Sequence, residues 1–304
     1  MSGATKIDDV YSAIEEGARL LDVSCSRDDV WPILTAYEGA LAQAVLVLSM
    51  ASGENHTGEL DYTITVPLGE PDPYALALSK GFTAATDHPV GSLLSDIRER
   101  CPVRGYAVDC GVTGGFKKTY AFFPLDDLQG LAKLAAIPSM PRSLAENSEA
   151  FARHGLGDNV TMVGIDYQHR TMNVYLGKFG PECLEPKTVV SMLEEIGLPE
   201  PSEQMLEFIR KAFSIYITIN WDSPKVDRIC FAVITQDAME LPSRIDPEIA
   251  HFAKSAPHAY DGDRILVYGS TVAPGGEYYK LGSYYQMPPD TFKLLQTHDA
   301  IQDK

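Results

Sequence analysis

The stretch FSIYITINWDSPKVDRICFAVIT, residues 213–235, decides the fold. Ser214 and Tyr216 fall on one side, and Ile215, Ile217 and Ile219 on the other. Side chains two apart on a strand share a face, so the alternation predicts a strand over 213–221. WDSPK supplies turn chemistry. Ile229, Phe231 and Val233 then resume the apolar phase over a second strand, 226–235, with Arg228 on the opposite face. A linker this short joins antiparallel neighbours. One face of the hairpin is apolar, while the other carries a hydroxyl, a phenol and a guanidinium.

Working outward, the same signature recurs four more times. Strand pairs are expected at 43–50 with 59–67, 103–110 with 116–123, 159–167 with 171–178, and 264–272 with 277–286. Their linkers SGENHTG, GVTGG, YQHR and APGGE are rich in turn formers. Asp61/Thr63, Lys118/Tyr120, Asn173/Tyr175 and Lys280/Tyr284 repeat the polar phase; Tyr62/Ile64/Val66 and Met172/Val174 repeat the apolar one. Between hairpins the period turns helical. Ile7, Val10, Tyr11, Ile14, Ala18 and Leu21 form one stripe behind Asp8 and Asp9, acids that suit a helix N-terminus. Val189, Val190, Met192, Leu193 and Ile196 form another, stopped by Gly197 and Pro199. Weaker helical stretches lie near 28–37, 73–81, 91–100, 126–135, 142–154, 202–211, 247–255 and 289–298.

The unit is therefore helix-helix-strand-strand, repeated five times with a period of about 50–60 residues. The expected fold is α+β: one domain over residues 1–304, a closed ten-stranded antiparallel barrel of five ααββ repeats ringed by helices. About eight strands already fill a barrel with side chains, so ten should leave a solvent-accessible lumen lined by the polar phase. An open sheet with a hydrated outer face is the alternative, but solvent faces favour Lys, Glu and Ser over tyrosine.

Composition narrows the function. With 42 acidic against 25 basic residues the net charge is −17, which argues against a nucleic-acid partner or an anionic membrane surface. The strand-borne cations oppose that global sign and point to an anionic ligand. Five scattered cysteines without a CxxC pair read as free thiols in a reducing compartment. No apolar signal core opens the sequence, and no run reaches the roughly 18–20 apolar residues of a membrane span. A cytoplasmic protein is expected.

Lys118, Arg228 and Lys280 bring three positive charges from three hairpins; Asn173 and Tyr216 add hydrogen-bond donors, and Asp61 one carboxylate. A lone carboxylate cannot cage a metal, yet Mg²⁺ takes one or two carboxylates, waters and phosphate oxygens. The set suits a diphosphate, clamped by the cations with Mg²⁺ at Asp61. Tyr120, Tyr175, Phe213, Tyr216 and Tyr284 lie beside it. Ring faces attract a cation by roughly 0.5–2 kcal/mol each, so an aromatic tube could shelter an allylic cation from water. Competing motifs are weak. TGGFKKT lacks the GxxxxGK[ST] spacing, and no GxGxxG, GxSxG, HExxH or DDxxD occurs. His169, in a turn beside the site, reads as incidental.

The segments ELDYTITVP, VTGGFKKTYAFFP, AIPSMP, FSIYITINW, DRICFAVI and EYYKLGSYY resemble the soluble bacterial aromatic prenyltransferases of the ABBA, or PT-barrel, fold, over nearly the whole length. The resemblance implies that Asp61 binds Mg²⁺ and that Lys118, Asn173, Tyr216, Arg228 and Lys280 hold the donor's diphosphate. It places Tyr120, Tyr175 and Tyr284 along the prenyl chain and reaction centre, with Tyr216 and Ser214 also near the chemistry. Thr161, Phe213, Ser214, Ala232, Thr291 and Leu294 would border the acceptor. Thr161 and Thr291 stand where a relative carries amides, so acceptor contacts are shorter here. Some members of the family work without metal. The expected partners are a prenyl diphosphate, geranyl by expectation, and a small hydroxylated aromatic, with the chain as a monomer. A non-catalytic carrier of a phosphorylated amphiphile and a diphosphate hydrolase are the competing readings.

Overall fold

The computed structural model describes residues 6–52, 59–69, 72–261 and 263–288. Ten strands follow the expected hairpins: β1 Leu46–Ala51, β2 Asp61–Pro67, β3 Gly105–Gly111, β4 Gly115–Phe122, β5 Val160–Asp166, β6 Thr171–Gly177, β7 Ser214–Asn220, β8 Arg228–Thr235, β9 Leu266–Ala273 and β10 Gly276–Gln286. Each pairs antiparallel with its sequence neighbour, and β1 pairs with β10, with Ser49 opposite Gly282 and Ala51 opposite Lys280. The sheet is a closed barrel, and closure leaves no strand edge for another chain to pair with.

The helices are α1 Ile7–Leu20, α2 Arg27–Ala36, α3 Glu38–Leu41, α4 Pro73–Ser79, α5 Val90–Arg100, α6 Leu131–Ala135, α7 Arg142–Arg153, α8 Pro186–Glu195, α9 Glu203–Ile209 and α10 Pro247–Ser255. Local chemistry sets their ends. Asp72 caps α4 by accepting from the N–H groups of Tyr74 and Ala75, with Pro73 opening the helix; Ser202 caps α9 through the Met205 N–H. The helix expected over 126–135 begins only at Leu131, because Gln129 is drawn into the sheet, exchanging backbone bonds with Val160. The repeat is also less regular than expected. The first unit carries an added turn of helix, α3, and the fifth replaces one helix by a 3-10 turn, Ala238–Glu240. The segment 289–298 lies outside the described residues.

The apolar strand phase meets the helices. Tyr62, Ile64, Val66, Ile215, Ile217, Ile229, Phe231 and Val233 are buried in an annulus with Val10, Ile14, Leu94, Val189, Phe208 and Phe252. Each such side chain contributes about 1.5–3 kcal/mol of burial, so the core lies outside the barrel and the bore is left to the polar phase. All five cysteines are free thiols. No described helix is long and apolar enough to cross a membrane.

Candidate active site

Cross-strand partners share a face, so the register maps the bore. One row runs Val47, Thr63, Asp109, Lys118, Asp166 and Thr171 from β1 to β6. Another runs Tyr120, Gly164, Asn173, Thr218 and Arg228 from β4 to β8. A third joins Tyr175, Tyr216, Cys230, Thr271 and Tyr278, and a fourth Ser214, Ala232, Gly269, Lys280 and Ala51. The strands alternate up and down, so the ends that lead into the hairpin turns share one end of the barrel. Asp61, Lys118, Arg228 and Lys280 lie toward that end by their places along the strands, and Ser214 and Ala232 toward the other.

The cations form one cluster. Burial and the like charges of Lys118 and Arg228 push the Lys280 ammonium down to about 8. Its Nζ stands 5.6 Å from the centroid of the Tyr278 ring. Among the described residues no carboxylate forms an ion pair with Lys280 or Arg228. Beside them the phenols pack together: the Tyr120 and Tyr175 rings are 5.9 Å apart, edge to face, and Tyr175 and Tyr216 are 4.4 Å apart. Gly164 makes the first pair possible, since a Cβ there would stand 2.8 Å from Tyr120 Cε1 and 3.3 Å from Tyr175 Cε2. Burial raises all these phenols, Tyr284 to about 12 and Tyr120 and Tyr216 well above the ordinary value, so they stay neutral. Thr218 donates to Asn173 Oδ1 at 2.9 Å, which turns the Asn173 amide nitrogen toward the Tyr175 hydroxyl at 3.3 Å. An anion clamp thus adjoins a neutral aromatic wall.

Residues 5–296 match the family model described as aromatic prenyltransferase Orf2. The chain belongs to that family. Flaviolin linalyltransferase of Streptomyces virginiae is 48% identical over 96% of both chains. The furaquinocin biosynthesis prenyltransferase of Streptomyces sp. (strain KO-3988) is 48% identical, covering 99% of this chain and 97% of its own. The 5,10-dihydrophenazine-1-carboxylate 9-dimethylallyltransferase of Streptomyces anulatus is 46% identical over 99% of this chain and 100% of its own. The protein is an aromatic prenyltransferase, and its closed barrel is the one expected from the sequence.

The prenyltransferase bore departs from the sequence reading in three ways. First, Asp61 is not its one carboxylate. Asp109 and Asp166 face the same interior, and Lys118 Nζ lies 3.7 Å from Asp109 and 3.6 Å from Asp166. Burial alone would lower Lys118, but these two carboxylates outweigh it and raise it. Burial also raises Asp166, yet Lys118 and the hydrogen bonds from His169 outweigh that and lower it. His169 donates its backbone N–H to Asp166 at 2.8 Å and holds Oδ2 through Nδ1 at 3.0 Å, so it touches this wall through Asp166. The missed signal was Asp109, two before Gly111 on β3 and of the same phase.

Second, Lys117 joins Lys118 inside. The β3–β4 register slips between Asp109 and Cys110, leaving Lys117 as the extra residue of a bulge. Its Nζ contacts Asp61 Oδ1 at 2.5 Å. Strict alternation would put it outside. Burial and the neighbouring Asp109 charge raise Asp61 to about 6, against the pull of Lys117.

Third, the Ser214 hydroxyl donates to Leu176 O at 2.7 Å, so it can take up a proton only by releasing the one it holds. Thr161 sits at another register shift, its hydroxyl on Tyr175 O at 3.1 Å and its methyl side over Gly177. Phe213, half-buried, precedes β7 with its N–H on Ala232 O. Thr291 and Leu294 lie outside the described residues.

Proposed function

We propose that this prenyltransferase moves a geranyl group from its allylic diphosphate to a ring carbon of a hydroxylated aromatic acceptor in secondary metabolism. The single observation that carries this reading is the Lys118–Arg228–Lys280 cluster, short of negative charge at Arg228 and Lys280 and adjoining the packed phenols. Arg228 and Lys280 take the diphosphate oxygens, with Lys118, the Asn173 amide and the Tyr216 hydroxyl as further donors. Such donors, fixed before the reaction, stabilise the charge that gathers on the leaving group. Tyr120, Tyr175 and Tyr284 face the allylic cation that forms as the C–O bond lengthens. Their neutrality matters twice: ring faces attract the cation, and a protonated phenol is a poor trap for it. The acceptor carbon attacks from the Ser214 and Ala232 end, where Thr161 and Phe213 border the space. Its ring proton leaves to water, either directly or through Ser214, whose hydroxyl would turn from Leu176 O and hand its own proton to water in exchange.

The donor set fits Mg²⁺. Among the described residues no group of three His, Cys, Asp or Glu side chains could hold an ion unaided, but Mg²⁺ needs only one or two carboxylates beside waters and phosphate oxygens. Asp61, with Asp109 next to it, would hold the ion, which when bound would draw charge from the diphosphate.

The test is incubation with geranyl diphosphate, Mg²⁺ and 1,6-dihydroxynaphthalene, followed by mass analysis, with dimethylallyl diphosphate in parallel. A geranylated naphthol, formed faster than the dimethylallyl product, is expected. Binding with no adduct across a broad acceptor panel would return the reading to a carrier. Geraniol released without acceptor would make it a hydrolase.

A further inference from the structure

Lys117 has no place in the clamp just described, yet the strand is shaped to bring it in. The bulge turns two successive lysines of β4 to the same interior. Gly111, across the hairpin, leaves the slot: a Cβ there would lie 2.7 Å from Lys117 Cε and 3.1 Å from its Nζ. In that slot the ammonium sits on Asp61 Oδ1 at 2.5 Å, the two side chains 12% and 21% exposed. Lys118 meanwhile spans Asp109 and Asp166. Among the described residues, Asp61, Asp109 and Asp166 each already have an ammonium partner.

We propose that Lys117 is a resident counter-ion for Asp61 that a divalent ion must displace, and that it thereby sets how tightly the site takes metal. This rests on the assignment of Asp61 as the metal-binding carboxylate. A Mg²⁺ ion stands about 2.0–2.1 Å from its oxygen ligands, so an ion on either oxygen of Asp61 would face, at close range, the ammonium that already sits on Oδ1, and the two like charges repel. Metal binding therefore includes breaking a largely enclosed ion pair. Without metal, Asp61 is still neutralised, so its charge does not repel an incoming diphosphate.

The test titrates Mn²⁺, a hard oxygen-seeking ion, into the purified protein preloaded with one equivalent of an unreactive geranyl thiolo-diphosphate, and follows free Mn²⁺ by electron paramagnetic resonance. Lys117→Met and Lys117→Gln should each bind Mn²⁺ at least ten-fold more tightly than wild type. Adding Asp61→Asn should abolish the gain, and Lys117→Arg should bind as weakly as wild type. Equal affinity in wild type and in a folded Met or Gln variant would overturn the proposal. So would a gain that survives Asp61→Asn, or tight binding by the Arg variant. Because the readout is ion binding, an inactive prenyl-transfer assay beside the expected Mn²⁺ shifts would fault the proposed reaction and not this one.

Discussion

Replacing Lys280 by methionine should stabilise the free protein while weakening its grip on diphosphate. The Lys280 ammonium is enclosed with Lys118 and Arg228 and falls from 10.5 to about 8. At 1.36 kcal/mol per pKa unit that is a penalty of roughly 3 kcal/mol on the charged form. Lys280 keeps some exposure, and solvent screening removes part of the penalty, so a gain of about 1–3 kcal/mol is expected for Lys280→Met. For a chain of 304 residues, an unfolding entropy of about 2.1 cal/mol/K per residue turns this into a Tm rise of roughly 2–5 °C. The pH dependence has a definite sign. Below about pH 8 the lysine is charged in folded and unfolded chains alike, and the whole penalty acts. Between about 8 and 10.5 the folded chain has lost the proton that the unfolded one keeps, so wild type gains stability as pH rises. The gap between wild type and variant should therefore close across that window. Thermal melts at pH 7 and at pH 9.5, with and without inorganic diphosphate, read both effects. Added diphosphate should raise the wild-type Tm more than the variant's. A variant no more stable than wild type at pH 7, or a gap indifferent to pH, would refute the reasoning.

Three further outcomes are expected. Arg228→Ala should lower kcat by at least a hundred-fold, by loss of leaving-group stabilisation, whereas Thr161→Ala should mainly change acceptor choice or the position of attack. Steady-state kinetics and product analysis check this, and equal effects on both properties would count against the division of labour. Gly164→Ala should push the Tyr120 ring aside, since the new Cβ would lie 2.8 Å from it. Turnover should fall at least ten-fold and geraniol should accumulate as water reaches the cation, readable by gas chromatography of the product mixture. Ser214→Ala should cost about 0.5–1.5 kcal/mol of stability through its lost bond to Leu176 O and leave kcat within about ten-fold if water carries the proton. A larger fall in kcat would make Ser214 the relay itself.

Much of this was legible in the chain. The phases of 213–235 fix which residues face inward, because side-chain alternation is a property of a strand alone. Short turns fix the hairpins, and Asp61, Asn173, Tyr216 and Arg228 were placed correctly on the polar side. What escaped was set by the pairing of strands. Lys117 is read as outward by alternation and comes inward only because the β3–β4 ladder slips at Cys110. Asp109 and Asp166 carry no signal of their own in the sequence, and only the register sets both opposite Lys118. His169 gains a role only because the β5–β6 turn folds it back onto Asp166.

Alternation and turn chemistry along the chain set the ten strands, most of the helices and the polar and apolar phases, and hence a barrel with a polar bore. How charge is balanced inside it follows from tertiary structure: which carboxylate holds which lysine, which two cations have no carboxylate partner among the described residues, and where glycines let rings and stems approach. The difference is physical. Face and period arise from neighbours along the chain, whereas ion pairing depends on distances across the bore, which exist only once the tenth strand has met the first.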